Sequence, residues 1–250
     1  MPLKICHISD THGAKFHTKL IIPECDVLIH SGDIGGRTTQ VELQEFLEWF
    51  KNQPAKLKLF VAGNHDLCLD SRWVNATFDP VNKAIRQQIN ADSIALIRQY
   101  GKDVIYLENS TIVWQGVTFY GSPITPSFHR QNWAFNADRG EEISKYWAKI
   151  PSNVNVLITH GPPYGVLDLI PESFKRTPDE DVHRGCEDLR DVTKKRLQSL
   201  KLHCFGHIHD GPTGIITQRI SNTRHIKYSN GAVLDNDYKQ VVFTPEIITL

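Results

Sequence analysis

Five short blocks carry the residues of this chain that could do chemistry: Asp10-Thr11-His12, Gly32-Asp33, Gly63-Asn64-His65-Asp66, Thr159-His160 and Gly206-His207-Ile208-His209. They supply seven hard ligands for divalent cations, Asp10, His12, Asp33, Asn64, His160, His207 and His209, and leave His65 over. Imidazole nitrogen with carboxylate and amide oxygen, and no cysteine in any block, suits Mn, Fe, Co, Ni or Zn better than a thiolate-closed structural zinc site. A carboxylate can join two cations through its two oxygens, and Asp33, in the tight Ser31-Gly32-Asp33 turn, is the natural shared ligand. One cation then takes Asp10, His12 and His209, and the other Asn64, His160 and His207. Such pairs sit roughly 3.5–4 Å apart and hold a bridging water acidic enough to give hydroxide near neutral pH. The expected reaction is hydrolysis of a phosphate ester, because two cations grip both the attacking oxygen and a phosphoryl oxygen as charge grows. His65 is expected to stabilise that state or protonate the leaving alkoxide, and Asp66 to orient His65 by accepting its other N–H.

These blocks are far apart in sequence, so strands must bring them together. Residues 3–9, 27–30, 57–62, 154–159 and 203–205 are short runs rich in Val, Ile and Leu, ended by Gly or a polar residue, as strands buried on both faces are. Each delivers its ligand at its carboxyl end, where open α/β sheets gather their ligands. Residues 39–51 space Val41, Leu43, Phe46, Leu47 and Phe50 as one helix face, and 81–100 repeat the pattern less cleanly. Residues 104–107, 111–114 and 117–120 predict a meander that starts a second sheet, with Gln115-Gly116 as a hairpin turn. Helices are expected over 139–149 and 186–200, and further strands over 214–243, separated by Asn-Gly and Asp-Asn turns.

In that order, and across residues 5 to 209, the blocks resemble those of the calcineurin-like metallophosphoesterases, with Gly161 completing Thr159-His160-Gly161. The stretches Gly121-Ser122-Pro123-Ile124-Thr125-Pro126, Trp133-Ala134-Phe135-Asn136 and Thr159-His160-Gly161-Pro162-Pro163-Tyr164 further resemble its metallophosphoesterase-domain-containing subfamily. The resemblance implies an α/β fold, a four-layer α/β/β/α sandwich of two mixed sheets flanked by helices. It also implies two divalent metal ions, Mn first with Fe, Ni, Co or Zn as alternatives. The activity implied is that of a phosphodiesterase on cyclic nucleotides (2′,3′-cyclic) or related nucleotide esters. Phosphomonoesterase and nuclease are variants of that reading, and a low-activity nucleotide-binding scaffold is the alternative outside it. Some subfamily members lack the first His of the last block; His207 is present here, so a complete second metal site is expected. Protein-phosphatase relatives carry Gly-Asp-x-x-Asp-Arg-Gly at the second block, whereas this chain has Gly36 and Thr38 for the second Asp and final Gly. That departure argues against a protein phosphatase. Arg37 stands where a phosphate-binding Arg would, as a substrate contact or as a solvated residue opening the helix.

Composition agrees. At 250 residues with 40% hydrophobic, the chain can build one sizeable core, and ligands spread this widely predict one domain, 1–250. A formal net charge of zero gives no broad footprint for duplex nucleic acid or an anionic membrane, so the expected partner is a small phosphoester or nucleotide. Five cysteines without CxxC spacing fit a reducing compartment, with Cys6 and Cys204 as small buried apolar residues. The first strand begins by residue 3, leaving no room for a cleavable leader, and no apolar run nears a membrane span; a cytoplasmic protein is expected. The long irregular stretches 122–138 and 162–185 adjoin the site strands, as lids do. Phe128, His129, Arg130, Trp133 and Tyr164 could stack on a base or hold a phosphate, or merely pin these loops. The charged run 175–184 reads as solvated surface. Among histidines outside the blocks, His30 is the one placed to support a ligand from behind.

Overall fold

The computed structural model describes residues 2–76, 79–128, 133–175, 177–209, 211 and 213–250. β1 (Lys4–Ile8), β2 (Cys25–His30), β3 (Ala55–Phe60) and β4 (Ile105–Tyr106) run parallel in one sheet. A hairpin follows, β5 (Ser110–Trp114) and β6 (Val117–Ser122), turning at Gln115-Gly116 where both residues take the positive φ that a tight reversal needs. A two-residue ladder joins β7 (Thr125–Pro126) to β8 (Asn136–Ala137). β9 (Val156–Thr159), β10 (Leu202–Phe205), β11 (Gly214–Arg219) and β12 (His225–Asn230) complete the second sheet, and β13 (Ile247–Thr249) returns antiparallel to β1. The orders β13-β1-β2-β3-β4 and β11-β12-β10-β9-β6-β5 make both sheets mixed.

Helices flank the sheets, giving the expected four-layer order. α1 (Ala14–His17), α2 (Gln40–Lys51), α3 (Ser71–Asn75) and α4 (Pro80–Gln99) belong to the connections of the first sheet, and α5 (Glu141–Trp147) and α6 (Glu187–Asp191) to the second. α2 starts where Thr39 and Glu42 cap each other's backbone N–H groups, and its periodic face buries Leu43, Phe46, Leu47 and Phe50. Phe46 meets His30 of β2 and Phe60 of β3, with ring centroids 4.9 and 5.4 Å away. The helix expected over 186–200 is α6 followed by a wider π turn, Val192–Arg196.

Alternation along the strands explains why the runs are apolar throughout. Ile5, Val27, Ile29, Leu59, Phe119, Val156, Ile158, Leu202 and Cys204 fill the layer between the sheets, while Cys6, Leu28, Phe60, Leu157 and Phe205 face the helices. All five cysteines are buried and unpaired. Among the described residues no helix is long and apolar enough to cross a membrane.

Three expectations need correcting. Residues 104–107 do not start the second sheet: the α4 crossover returns the chain beside β3, so β4 extends the first sheet in parallel and only the β5–β6 hairpin opens the second. Asn230-Gly231 is not a hairpin turn, because the chain continues onward to pair Ala232 with Ser9 across the sheets. A Cβ on Gly231 would lie 2.7 Å from the His7 ring, so the glycine serves close approach. The edge strand β13 lies beyond the expected tail strands; its short apolar segment carries no turn signal to announce it.

The two sheets meet closely at Gly121, where a Cβ would fall 2.3 Å from Leu107 Cβ and 2.8 Å from Val61. Gly121→Ala is therefore expected to destabilise the fold by about 1–3 kcal/mol in urea unfolding, the cost of overpacking. An unchanged midpoint would mean that the sheets can separate freely there.

Candidate metal centre

Every block sits just past the carboxyl end of its strand: Asp10 and His12 after β1, Asp33 after β2, Asn64 and His65 after β3, His160 after β9, His207 and His209 after β10. One rim therefore receives groups from both sheets. The backbone turns sharply to present them. Asp10, His12, Asp33 and His207 all have φ between 44° and 69°, a left-handed region that costs a non-glycine residue of order 1 kcal/mol and is tolerated where surrounding structure demands it.

All seven expected ligands come together. His209 Nε2 lies 3.2 Å from Asp10 Oδ1. Asp33 Oδ2 faces His160 Nε2 at 3.3 Å, His12 Nε2 at 3.9 Å and His65 Nε2 at 4.0 Å. His160 Nε2 is also 2.9 Å from Asn64 Oδ1, and the His207 ring centroid is 5.0 Å from that of His160. Three overlapping groups result, Asp10-His12-His209, His12-Asp33-His65 and Asp33-His160-His207, each with ligand atoms within 4.8 Å of one another.

Electrostatics makes this a cluster waiting for positive charge. Burial alone would raise both carboxylates, yet the His209 hydrogen bond and nearby imidazoles hold Asp10 below the ordinary range, and His160, His65 and His12 hold Asp33 well below it. Burial pushes His12 down to about 4 and His207 to about 3, leaving both neutral with a lone pair to give. Burial opposes charge on His160 too, but Asp33 beside it wins and raises it to about 9. Among the described residues His12 Nε2 is buried without a hydrogen-bond partner. An orphaned imidazole nitrogen, ionised buried carboxylates and an all-nitrogen-and-oxygen donor set fit divalent cations.

The ligands are themselves held. His160 Nδ1–H donates to the Ser31 carbonyl at 2.8 Å and His209 Nδ1–H to the Leu234 carbonyl at 3.0 Å, which turns each Nε2 toward the site. His7, which carried no sequence signal, bridges Ser31 Oγ and Ser229 Oγ at 2.8 Å each and so ties the first sheet to β12 behind His160. His30 stands behind the site as expected, accepting from Gly32 N–H at 3.2 Å and contacting Thr11 Oγ1 at 3.1 Å.

Asp66 does not orient His65. Its carboxylate accepts from Gly63 N–H (2.6 Å), Asp33 N–H (3.0 Å), Ile34 N–H (3.0 Å) and the Thr38 hydroxyl. Four donors from two ligand loops claim it, so the His65 ring turns away and gives Nδ1–H to the Gly36 carbonyl at 2.5 Å. Burial and the neighbouring Asp33 charge raise Asp66 to about 6 against the pull of those donors.

Of the two places expected for Arg37, the structure shows the solvated one. It is exposed, its guanidinium 5.4 Å over the Trp133 ring, and Trp133 in turn packs on His65 with centroids 4.3 Å apart. It does not line the cavity of about 370 Å³ beside the ligands; Arg139 and Arg184 do. Arg184 belongs to the run read as solvated surface. Phe128 reaches the site, 4.9 Å from the His207 ring, whereas Tyr164 bonds Asp181 at 2.6 Å away from the ligands. His129 and Arg130 lie outside the described residues. Tyr238 was not foreseen. It sits edge-on to His12 and His209, at 4.5 and 5.1 Å, from a polar turn whose sequence resembles any surface loop.

If Asp66 holds the two loops in register, Asp66→Asn, which points an amide at backbone donors, should weaken manganese binding by about 10–100-fold in calorimetric titration. Undiminished affinity would remove that role. Saturating the native chain at 100 times the dissociation constant should stabilise it by about 2.7 kcal/mol, and chelation should reverse the gain in melting temperature. No shift would mean that the cluster does not bind the ion.

Known proteins resemble this chain over most of its length. The chain is 33% identical over 250 residues to Metallophosphoesterase domain-containing protein 1 of Homo sapiens, and equally to that of Mus musculus, covering 97% of this chain and 69% of each relative. A phosphopantetheinyl hydrolase from Mycobacterium tuberculosis shares the fold at TM-score 0.54 and 16% identity, over 98% of this chain and 95% of that one. A second solved structure superposes at TM-score 0.62 with 14% identity, over 100% and 99%. The calcineurin-like phosphoesterase family matches residues 3–211, and the chain belongs to that family.

Proposed function

We propose that this metal-dependent phosphoesterase works with two cations and prefers small phosphodiesters, nucleotide esters and cyclic nucleotides among them, with Mn as the favoured metal. The observation that carries the reading is Asp33: one buried carboxylate oxygen lies 3.9 Å from His12 Nε2 and 3.3 Å from His160 Nε2, and two ligand groups share the residue. Cations held by Asp10, His12 and His209 and by Asn64, His160 and His207, with Asp33 common to both, would supply an activated water and a Lewis-acid hold on the phosphoryl group. His65 has the remaining part. Its Nδ1–H is committed to Gly36, so Nε2 faces Asp33, and a proton carried there can pass to the leaving alkoxide. Trp133 and His12, packed against the ring at 4.3 and 4.8 Å, restrict its rotation and keep that nitrogen aimed.

Metal-stripped protein resupplied separately with Mn, Ni, Co, Zn and Mg should hydrolyse bis(p-nitrophenyl) phosphate in preference to p-nitrophenyl phosphate. Monoester preference would make the chain a phosphatase instead. His65→Ala should keep its metal content while losing about 10²–10⁴ in turnover; loss of metal in step with activity would make His65 a ligand. Asp33→Asn should weaken both cations together and His209→Ala chiefly one.

A further inference from the structure

The cavity beside the ligands has an apolar wall that plays no part in cutting the phosphoester bond. Phe128, Pro162, Ile170, Phe174 and Ile208 line it together with the polar groups of the rim. Phe174 is 53% exposed, an aromatic ring left facing solvent at a cavity wall. Ile170 and Phe174 come from the stretch between Pro162 and Gly185, whose described residues hold one another in place. Asp168, fully buried, accepts from Gly165 N–H at 3.0 Å, Gly185 N–H at 2.9 Å and His183 Nδ1–H at 2.6 Å. Ile170 N–H pairs with the Val182 carbonyl and Arg184 N–H with the Asp168 carbonyl, both at 3.0 Å, so the two arms of the loop zip together. Asn230 Nδ2 reaches the Leu167 carbonyl at 3.3 Å and ties the loop to the end of β12.

Among the described residues, the cations on this wall are already employed. Arg139 gives its terminal nitrogens to the carbonyls of Gly185 (2.7 Å) and Arg184 (2.9 Å), and Arg184 pairs with Glu180 at 3.0 Å and donates to the Asp181 carbonyl. Those two guanidinium groups brace the loop, and their terminal nitrogens are engaged there rather than turned to a ligand. A volume of about 370 Å³ has room for a phosphoryl group and one ring, and none for a duplex.

We infer that the wall formed by Ile170 and Phe174 is a preorganised subsite for a flat apolar ring on the organic half of the substrate. The esters taken are then aryl- or base-bearing phosphoesters, in preference to sugar phosphates or inorganic polyphosphate. The inference rests on the phosphoesterase reading for which bond is cut, but ring recognition can be measured without turnover. Because the loop is ordered by Asp168 before any ligand arrives, burial of the ring adds affinity with little ordering cost.

Phenylphosphonate and methylphosphonate carry a phosphonate head on a carbon–phosphorus bond the protein cannot hydrolyse, and at a pH where both are dianions they differ in bearing a ring or a methyl group. In calorimetric titrations of manganese-loaded protein, phenylphosphonate should bind at least about tenfold more tightly. The double variant Ile170→Ala with Phe174→Ala should bring the two ligands within about threefold while leaving methylphosphonate affinity unchanged, and Phe174→Leu should restore most of the preference. Equal or undetectable binding of both ligands by the native protein overturns the subsite, as does a preference that survives the double variant. So does loss of methylphosphonate in parallel, which would make the wall a support of the metal rim. Ring preference without hydrolysis of any diester sinks the phosphodiesterase reading alone; hydrolysis without ring preference sinks the subsite alone.

Discussion

Two carboxylates, Asp10 and Asp33, are kept ionised in the interior, and most of the local architecture exists to make that tolerable. An isolated carboxylate in such a place would take up a proton instead. Here Asp10 Oδ2 accepts from His207 N–H at 2.9 Å and Asp33 Oδ1 from His65 N–H at 2.8 Å, so each anion is fixed by the backbone of the loop whose side chains join it at the site. Asp66 repeats the device one layer back, gathering N–H groups from the loops after β2 and β3. The left-handed turns at Asp10, His12, Asp33 and His207 follow from the same need to aim donors and side chains at one point.

Neither sheet holds the site alone. The first brings Asp10, His12, Asp33, Asn64 and His65; the second brings His160, His207 and His209. Apolar packing sets the spacing of the sheets over most of their area, but under the rim the filling turns polar. His7 joins Ser31 to Ser229 there, and Ser31 holds His160. The geometry of the candidate centre is thus coupled to sheet packing through a specific hydrogen-bonded chain, which a purely apolar layer could not provide.

Much of this was legible. Strand runs bounded by Gly or polar residues marked the positions of β1, β2, β3, β9 and β10, because a strand buried on both faces leaves an unbroken apolar signature. The seven ligand types, being uncommon in such spacing, marked the rim. What could not be read depended on side-chain direction and long-range contact. Asp66 adjoins His65 in sequence, yet its carboxylate answers Gly63, Asp33 and Ile34. Arg37 sits where a phosphate contact would, yet it lies over Trp133. Tyr238 and Arg184 reach the cavity from segments whose composition is that of ordinary surface.

By itself, then, the sequence determined which chemistry the chain carries and that its bearers must converge at strand ends, since ligand type and hydrophobic run are local properties. Only the tertiary structure decided which neighbours each polar atom acquires, that β4 and β13 complete the first sheet, and that an apolar wall stands beside the candidate centre. Those are contacts between residues as distant as His7 and Ser229, and they are set by how two sheets pack, a quantity no window of sequence contains.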